Sequence, residues 1–595
     1  MTSKQRTWGQ FATPTDVADL LLGFCLRRPG DRLLDPSCGD GALLRRAARW
    51  QSWLSAAAAA PPLNTLYGVE LDPEAAARAA AVAGAIVLPG NFFALTPNAP
   101  ALPAHWPRGG FDALVGNPPY TRAEWIGRLD AAAQLPLFAD EQEADAPVRA
   151  VPPDLAAMLT RRAGLHAYFL LHSLPFLRDR GRLGFVMPNG WLDVAYGAAL
   201  KQFLLDHFRI LVIIESAVER WFAAAGVNTC LLILERADDA AARSANHVRF
   251  ARLRRPLRDL LGAADDARRV AAVEQLVGRL LPAVDRPGGD VAVRLRRQGE
   301  LAAADRWGGW LRAPAVALRP APSLVPLGHW AVVQRGHTTG ANDFFYLDPD
   351  RVAAWGIEAR FRQPLLKSLR GIDRLRLSAA DGRHELLTIP PGASLLDTAA
   401  AAYVAWGEAR GIHRRATCAA RRPWYGLPAQ PDGQLLLAKG VWQRHFAPLA
   451  DGPLAVDQQL YRLRLAAALL PAAAALLNSA WFALQCELRG RVNLGEGVLW
   501  LATYELAAIP LPDLAALDAG QLAALAAAHE RLSAHPIAPT TADDLAQPDR
   551  LALDELVFDL VGLLLAERRA AREALLDCLD GRRRRATHLA PEDVA

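Results

Sequence analysis

The chain has 595 residues, 52% of them hydrophobic and 22% charged, with 67 Lys+Arg against 62 Asp+Glu for a net charge of +5. That length exceeds one ordinary core, so two or three domains are expected, and the composition excludes an intrinsically disordered chain. The small basic excess admits a nucleic-acid partner without requiring one.

At the start, "MTSKQRTWGQF" lacks the apolar core of a signal peptide, so a cytoplasmic protein is expected. "DRLLDPSCGDGALLRRAARW", Asp31 to Trp50, reads as a short strand, a turn holding Gly39 and Gly41, and a helix. Glycines there let a backbone approach a ligand, and Asp35 stands as an acceptor where open α/β sheets bind small molecules. The spacing Asp-x-x-x-Gly-x-Gly departs from the dinucleotide fingerprint and argues against a nicotinamide cofactor. "LNTLYGVELDPEAAARAA", Leu63 to Ala80, is a second strand ending at Glu70 and a helix opening near Asp72 and Pro73. A carboxylate at that point suits both hydroxyls of a ribose. "AIVLPGNFFAL", Ala85 to Leu95, is a third strand and a polar turn, with Asn91 and Phe92 able to grip the edge and face of an adenine.

In "FDALVGNPPYTRAEW", Phe111 to Trp125, an apolar strand ends at Gly116 on two prolines. Each proline fixes its own φ and gives up an N–H, which makes a stiff loop whose carbonyls point in set directions. Asn117 offers a side-chain carbonyl, Pro118 a backbone carbonyl, Pro119 rigidity, and Tyr120 a flat ring with a polar tip. These parts suit a planar amine. The four segments in order specify an adenosine-bearing ligand at the carboxyl edge of a sheet, with an amine-holding loop beside it.

Beyond about residue 240 arginine-rich helical stretches such as "RLRRPLRDLLGAADDARRV" lead to a proline-rich piece around Pro314 to Pro326, which marks a domain boundary. "VVQRGHTTGANDFFYL", Val332 to Leu347, joins a strand-like run to a polar loop. "WGEARGIHRRATCAARRPWYGLP", Trp406 to Pro428, interleaves Arg410, Arg414, Arg415, Arg421 and Arg422 with His413, Trp424 and Tyr425, a mixture suited to phosphates and exposed bases. Leu465 to Leu484 is nearly all apolar, yet Pro471, Asn478 and Ser479 interrupt it, so a buried helix pair is expected in place of a membrane span. The tail is helical by pattern and ends with Arg582 to Arg585, read as packing or a DNA-facing patch. Six scattered cysteines without a C-x-x-C pair indicate neither a zinc site nor a disulfide framework.

These motifs resemble those of N6-adenine DNA methyltransferases of the type II restriction-modification kind, with the gamma-class motif order and a C-terminal target-recognition domain. "TWGQFATPTDVADLL", Thr7 to Leu21, resembles the N-terminal cofactor motif, which implies Thr13 and Pro14 near the methionine end. "DPSCGDG" resembles the glycine motif, and "GRLGFVMPNGWL", Gly181 to Leu192, a later strand with its trailing loop. "RWFAAAGVNTCLLIL", Arg220 to Leu234, resembles the segment whose aromatic, Phe222 here, packs against a flipped base. Related enzymes commonly have Asp where this chain has Asn91, which implies altered affinity with binding retained.

The resemblance implies an α/β fold: a Rossmann-like S-adenosylmethionine-dependent methyltransferase domain over 1–240, a helical linker over 241–313, a mixed α+β target-recognition domain over 314–515, and a helical tail over 516–595. S-adenosylmethionine is the implied cofactor, held by Thr13, Pro14, Asp35, Pro36, Cys38, Gly39, Gly41, Glu70, Leu71, Asn91, Phe92 and Asn117. Asn117, Pro118, Pro119, Tyr120 and Phe222 form the implied catalytic set, with Tyr120 stacking on a flipped adenine. Cys38 reads as packing, since no thiol nucleophile is needed. Double-stranded DNA is the implied partner, met by Arg335, Thr338, Thr339, Asn342, Arg414, Arg415, Arg421, Arg422, Trp424 and Tyr425. The resemblance admits a separately encoded restriction endonuclease, and the position of the cofactor motif leads us to expect no nuclease within this chain. Two other readings of the residues stay open: a protein-glutamine or RNA N-methyltransferase, and a DNA-binding specificity subunit with an idle cofactor fold.

Overall fold

The structure, a computed structural model, describes residues 11–55, 64–82, 84–98, 102–103, 105–120, 158–159, 164–193, 197–222, 228–313, 323–390, 392–428, 434–491 and 497–587. Thr7 of the N-terminal motif, Trp125 of the proline-loop stretch, the proline-rich residues 314–322 and the side chain of Arg585 lie outside them. The chain divides into two compact units, residues 1–312 with 493–496 and 581–595, and residues 313–492 with 497–580.

In the first unit the apolar runs form strands β1 (Leu33–Asp35), β2 (Leu66–Glu70), β3 (Ala85–Pro89), β4 (Phe111–Gly116), β5 (Leu177–Pro188), β6 (Phe208–Ser216), β7 (Thr229–Arg236), β8 (His247–Leu253) and β9 (Val291–Arg297). They make one sheet in the order β3-β2-β1-β4-β5-β7-β6-β8-β9. Strands β1 to β5 are parallel, and β7 runs antiparallel to both β5 and β6. Successive residues go to opposite faces: Leu34, Leu114, Phe185 and Leu232 enter one core, and Leu33, Val115, Val186 and Leu231 the other. Burial on both faces is why these strands read as continuous apolar runs.

Helices α1 (Thr15–Cys25), α2 (Ala42–Leu54) and α3 (Pro73–Ala80) precede β1, β2 and β3. From β1 the chain winds through β2 to β3 at one edge, then returns past β1 to β4 on its other side. This reversal opens a crevice at the carboxyl ends of β1 and β4, where ligands of open α/β sheets bind. The Rossmann-like α/β fold implied by the resemblance is the fold observed.

Residues 241–313 depart from the helical linker expected there. They contain helices Ala240–Ala245 and Ala267–Leu280, yet also β8 and β9, which extend the sheet of the first unit. In "VAVRLRR" Val291 and Val293 enter the core, while Arg294 and Arg296 are partly buried on the edge strand, Arg296 over the Trp310 ring at 3.6 Å.

The second unit carries a five-stranded sheet ordered Val332–Arg335, Leu460–Arg464, Leu435–Ala438, Leu449–Ala450, Arg376–Leu377. A four-stranded sheet is ordered Tyr346–Leu347, His384–Leu387, Arg362–Leu366, Ala455–Val456. The apolar stretch near 465–484 forms two buried helices, Leu470–Leu477 and Ala480–Arg489. Between them Asn478 accepts from the Ala447 N–H (3.0 Å) and donates to its carbonyl (2.9 Å), so the break is satisfied internally. Among the described residues no single helix is long and apolar enough to cross a membrane. Helices Ala519–Ser533 and Pro548–Val561 of the expected tail send Leu525, Val557 and Phe558 into the same core as this pair. Arg582 is buried, whereas Arg583 and Arg584 are exposed.

Candidate active site

The glycine turn is built by necessity. Gly41 caps α2 with φ +84, a left-handed conformation, and a Cβ there would strike the Ala79 backbone at 2.9 Å. Gly39 has φ +55 and open space where a Cβ would be. Cross-links fix the turn against its neighbours: the Cys38 N–H donates to the Val69 carbonyl (3.0 Å), and the Gly39 N–H donates to Glu70 Oε2 (2.8 Å). Cys38 is buried, and its Sγ lies 2.7 Å from where Gly68 would carry a Cβ. Burial raises its thiol far above the ordinary value, so it packs the loop and is no nucleophile.

Asp35 and Glu70 end β1 and β2 on either side of this turn. Burial pushes Asp35 up to about 7; the Ser37 N–H opposes that and the charge of Glu70 adds to it. Burial also raises Glu70, against the N–H groups of Asp72 (2.9 Å, to Oε1) and Gly39. The two oxygens of Glu70 thus already hold backbone donors, and their remaining lone pairs are what a ribose can use. Pro36 is buried behind Asp35, and Leu71 is partly exposed beyond Glu70. Thr13 and Pro14 lead into α1, Pro14 as its N-cap residue.

Asn91 accepts from the Phe93 N–H at 3.0 Å and so starts a one-turn helix, Phe92–Ala94. The ring of Phe92 is only 2% exposed and packs among Phe169, Phe176 and His172. It therefore serves the core in this state, contrary to the adenine-gripping face expected of it.

At the end of β4, Asn117 donates through Nδ2 to the Phe11 carbonyl (2.9 Å) and accepts at Oδ1 from the Tyr120 phenol (2.5 Å). The first bond orients the amide so that its oxygen faces the loop. Pro118 is buried, while Pro119 and Tyr120 are partly exposed. Rings surround Tyr120: Phe11 tilted at 5.8 Å, His166 edge-on at 6.3 Å, and Phe222 edge-on at 6.3 Å. Phe222 is 4% exposed within a core cluster, so it buttresses Tyr120 and does not present a free face of its own. Burial raises the Tyr120 phenol well above its ordinary value, which keeps it a neutral donor. His166 was not singled out by the sequence. It is buried in helix Leu165–Ser173, and burial lowers it to about 4, so the ring is neutral.

The residues expected at DNA separate into two groups. Arg335, Thr338, Asn342, Arg414, Arg415 and Arg422 are exposed. Arg415 nonetheless pairs with Asp343 through both terminal nitrogens (2.5 and 2.8 Å). Arg422 Nη1 folds back onto the carbonyls of Ala419 and Arg421 (2.8 Å each). Thr339 is fully buried and bonds to Asn342. Arg421 bonds to the carbonyls of Thr339 and Thr417 (the latter 3.1 Å) and lies 5.2 Å over the Phe345 ring, so it staples two loops together. Trp424 packs on Phe344 at 4.9 Å and donates to Glu408 (2.9 Å), with the partly buried Tyr425 edge-on at 5.8 Å. Thr339, Arg421 and Trp424 are thus structural here, in place of the DNA contacts expected of them.

Residues 1–257 match the N-6 DNA methylase family model, and residues 313–540 match the C-terminal domain of type II methyltransferase M.Eco57I. The second match begins where the second unit begins. Type II methyltransferase M.XamI of Xanthomonas campestris pv. amaranthicola is 24% identical over 426 residues, 68% of this chain and 66% of that protein. M.TthHB8I of Thermus thermophilus is 26% identical over 34% of this chain and 40% of that one. The chain thus spans less than two thirds of these relatives' own lengths. RM.Eco57I of Escherichia coli, named both restriction enzyme and methyltransferase, is 24% identical over 21% of this chain and 11% of that one. The solved structure of the type IIL restriction-modification enzyme MmeI in complex with DNA shares the fold: TM-score 0.57 at 13% identity, covering 96% of this chain and 75% of that one. The first part of the chain is thus similar to the N-6 DNA methylase family and the second to the C-terminal domain of M.Eco57I, each over less than half of the chain.

Proposed function

We propose that the chain transfers a methyl group from S-adenosylmethionine to N6 of an adenine flipped out of duplex DNA, at one short sequence, within a restriction-modification system. The observation that carries this reading is the stiff Asn117–Tyr120 loop at the end of β4, with its side-chain carbonyl turned inward beside an aromatic ring. The crevice also suits the cofactor: Gly39 leaves open space, and the buried carboxylates of Asp35 and Glu70 flank it. S-adenosylmethionine, when bound, supplies an electrophilic methyl on a cationic sulfur. Asp35, the Gly39–Gly41 turn, Glu70, Leu71 and Asn91 hold it.

The remaining work falls to the protein. Adenine N6 is a poor nucleophile because its lone pair is delocalised into the ring. Asn117 Oδ1 and the Pro118 carbonyl accept its two N–H groups, draw the lone pair out of conjugation and fix its direction. This is catalysis by orientation and electrostatics without a covalent enzyme adduct. Tyr120 stacks on the base, backed by Phe11 and Phe222. An adenine inside a duplex cannot reach this loop, so the base must leave the stack.

Exposed Arg335, Arg414 and Arg422 of the second unit bind the DNA backbone. Acting on the genome places the protein in the cytoplasm. M.XamI and M.TthHB8I are named as methyltransferases alone, and RM.Eco57I as both activities. We place this chain with the former, its endonuclease being a separate protein. The test is to offer tritiated S-adenosylmethionine with duplex DNA, RNA or a glutamine-bearing protein. Label recovered as N6-methyldeoxyadenosine supports the reading; label in RNA or protein alone contradicts it.

A further inference from the structure

Several enclosed arginines of the first unit are paired with carboxylates. Arg46 and Arg269 share Asp19, and Arg312 lies between Glu215 and Asp193. Arg220 is different. Its Nε, Nη1 and Nη2 are all shielded from solvent, and none has an acceptor; among the described residues no other arginine has all three nitrogens in that condition. An arginine cannot escape by losing its proton, so an unpaired, desolvated guanidinium is costly and persists only where something compensates for it.

Among the described residues the surrounding loop gives no local remedy. Glu219, the adjacent acid, is engaged elsewhere: its Oε1 accepts from Trp221 Nε1 (2.9 Å) and from the Leu257 N–H (2.8 Å). Ser216 Oγ accepts from the N–H groups of Val218 (3.3 Å) and Glu219 (3.1 Å), which fixes the turn leading to Arg220. Trp221 and Phe222 on its other side are buried. Burial depresses the guanidinium, with no carboxylate acting against it. The residue is therefore held in place by its neighbours while its charge is left unanswered.

Its place in the loop indicates what answers it. Phe222, two residues on, sets its ring edge against Tyr120, which puts Arg220 two residues along the chain from a ring that backs the proposed base pocket. We propose that Arg220 is an oxyanion-binding residue that takes a backbone phosphate of the target strand beside the flipped adenine. This rests on the functional reading above. The planar guanidinium matches a phosphate through two parallel N–H bonds. A flipped nucleotide gains from such an anchor, because it is rotated about its own backbone at a cost in unstacking and unpairing that contacts to the strand must offset. The cofactor carries an oxyanion too, its amino-acid carboxylate, and the test separates the two sources.

The experiment compares wild type with Arg220→Met and Arg220→Lys, using a short duplex that carries the wild-type methylation motif. Arg220→Met removes a buried charge while keeping bulk, so its melting temperature is expected to hold or rise. Its DNA dissociation constant is expected to rise about 10-fold, and the slope of log K against log salt to lose about 0.9, the share of one phosphate. S-adenosylmethionine affinity stays within about two-fold. Arg220→Lys keeps the slope. A methylphosphonate at the flanking position weakens wild type by the same factor and leaves Arg220→Met unaffected. If Arg220→Met binds DNA normally but loses affinity for S-adenosylmethionine, and not for its decarboxylated analogue, the phosphate assignment is overturned in favour of the carboxylate. No change in either affinity overturns the site altogether. Failure of wild type itself to bind or methylate DNA is a failure of the functional reading, and is seen before any variant is made.

Discussion

The phenol of Tyr120 donates a 2.5 Å hydrogen bond to Oδ1 of Asn117, the atom proposed to accept the adenine amine. In the free protein the pocket's acceptor is thus already occupied by its own aromatic platform. An incoming adenine exchanges one donor for another, and the phenol keeps the amide aimed until it arrives.

Asn117→Ala removes the acceptor and the bond to Phe11 together. Turnover is expected to fall by about 10²-fold or more, the usual effect of deleting one preorganised polar group at a reacting centre. Cofactor affinity measured by calorimetry stays within about three-fold. An active Asn117→Ala enzyme would remove the proposed mechanism.

Tyr120 separates into two parts. Tyr120→Phe keeps the stacking face and frees Asn117 Oδ1, so activity within about three-fold of wild type is expected. Tyr120→Ala loses base stacking worth about 1–3 kcal/mol and should weaken binding to target DNA roughly 10- to 100-fold. Equal damage from both substitutions would show that the phenol, and not the ring, is what matters.

Asp35 makes cofactor binding pH-dependent. Its folded-state value of about 7 stands above the ordinary carboxylate value, so it is protonated in the free protein below neutrality. The stability it contributes is present at low pH and lost as pH rises through 7. A cationic cofactor favours the ionised form, so affinity is expected to strengthen as pH rises toward 8. At pH 7 binding releases about half a proton, seen as a dependence of calorimetric heat on buffer. Asp35→Asn should abolish that release; an unchanged proton count would place the linkage elsewhere.

The arginines of the second unit are expected to behave unequally. Arg414→Ala with Arg422→Ala should weaken DNA binding across sequences and lower the salt slope by about 2. Arg421→Ala, which unstaples Thr339 and Thr417, should instead lower the melting temperature, by several degrees. If Arg421→Ala lowered the salt slope with no change in melting temperature, the structural role given to it would be wrong.

Strands β1, β2 and β4 were legible because both their faces are buried, which leaves a continuous apolar signature ended by an acid or a glycine. The positions of Asp35, Glu70 and Asn117 follow from that alone, since a residue just past a parallel strand lies at the ligand edge. Strands β8 and β9 were not legible: arginines interrupt their apolar residues and sit in a stretch whose flanking segments read as helix, so charge outweighed period. Phe92 and Phe222 show another limit. An aromatic residue near a site can face a ligand or the core, and only neighbours distant in sequence, Phe169 and Phe176 for one and Tyr120 for the other, decide which. Arg421 and Arg422 are adjacent and chemically identical, yet Arg421 reaches a carbonyl 82 residues away and Arg422 stays at the surface. No pattern in "AARRPWY" carries that distinction.

The central claim is that the Asn117–Tyr120 loop methylates adenine in DNA at a defined sequence. The most direct measurement incubates purified protein and S-adenosylmethionine with genomic DNA free of N6-methyladenine, then maps modified bases by single-molecule sequencing, with Asn117→Ala in parallel. The account predicts N6-methyladenine confined to one short motif in the wild-type sample and none in the variant. Cofactor bound by the wild-type protein without modified adenine, or modification persisting in Asn117→Ala, would contradict it.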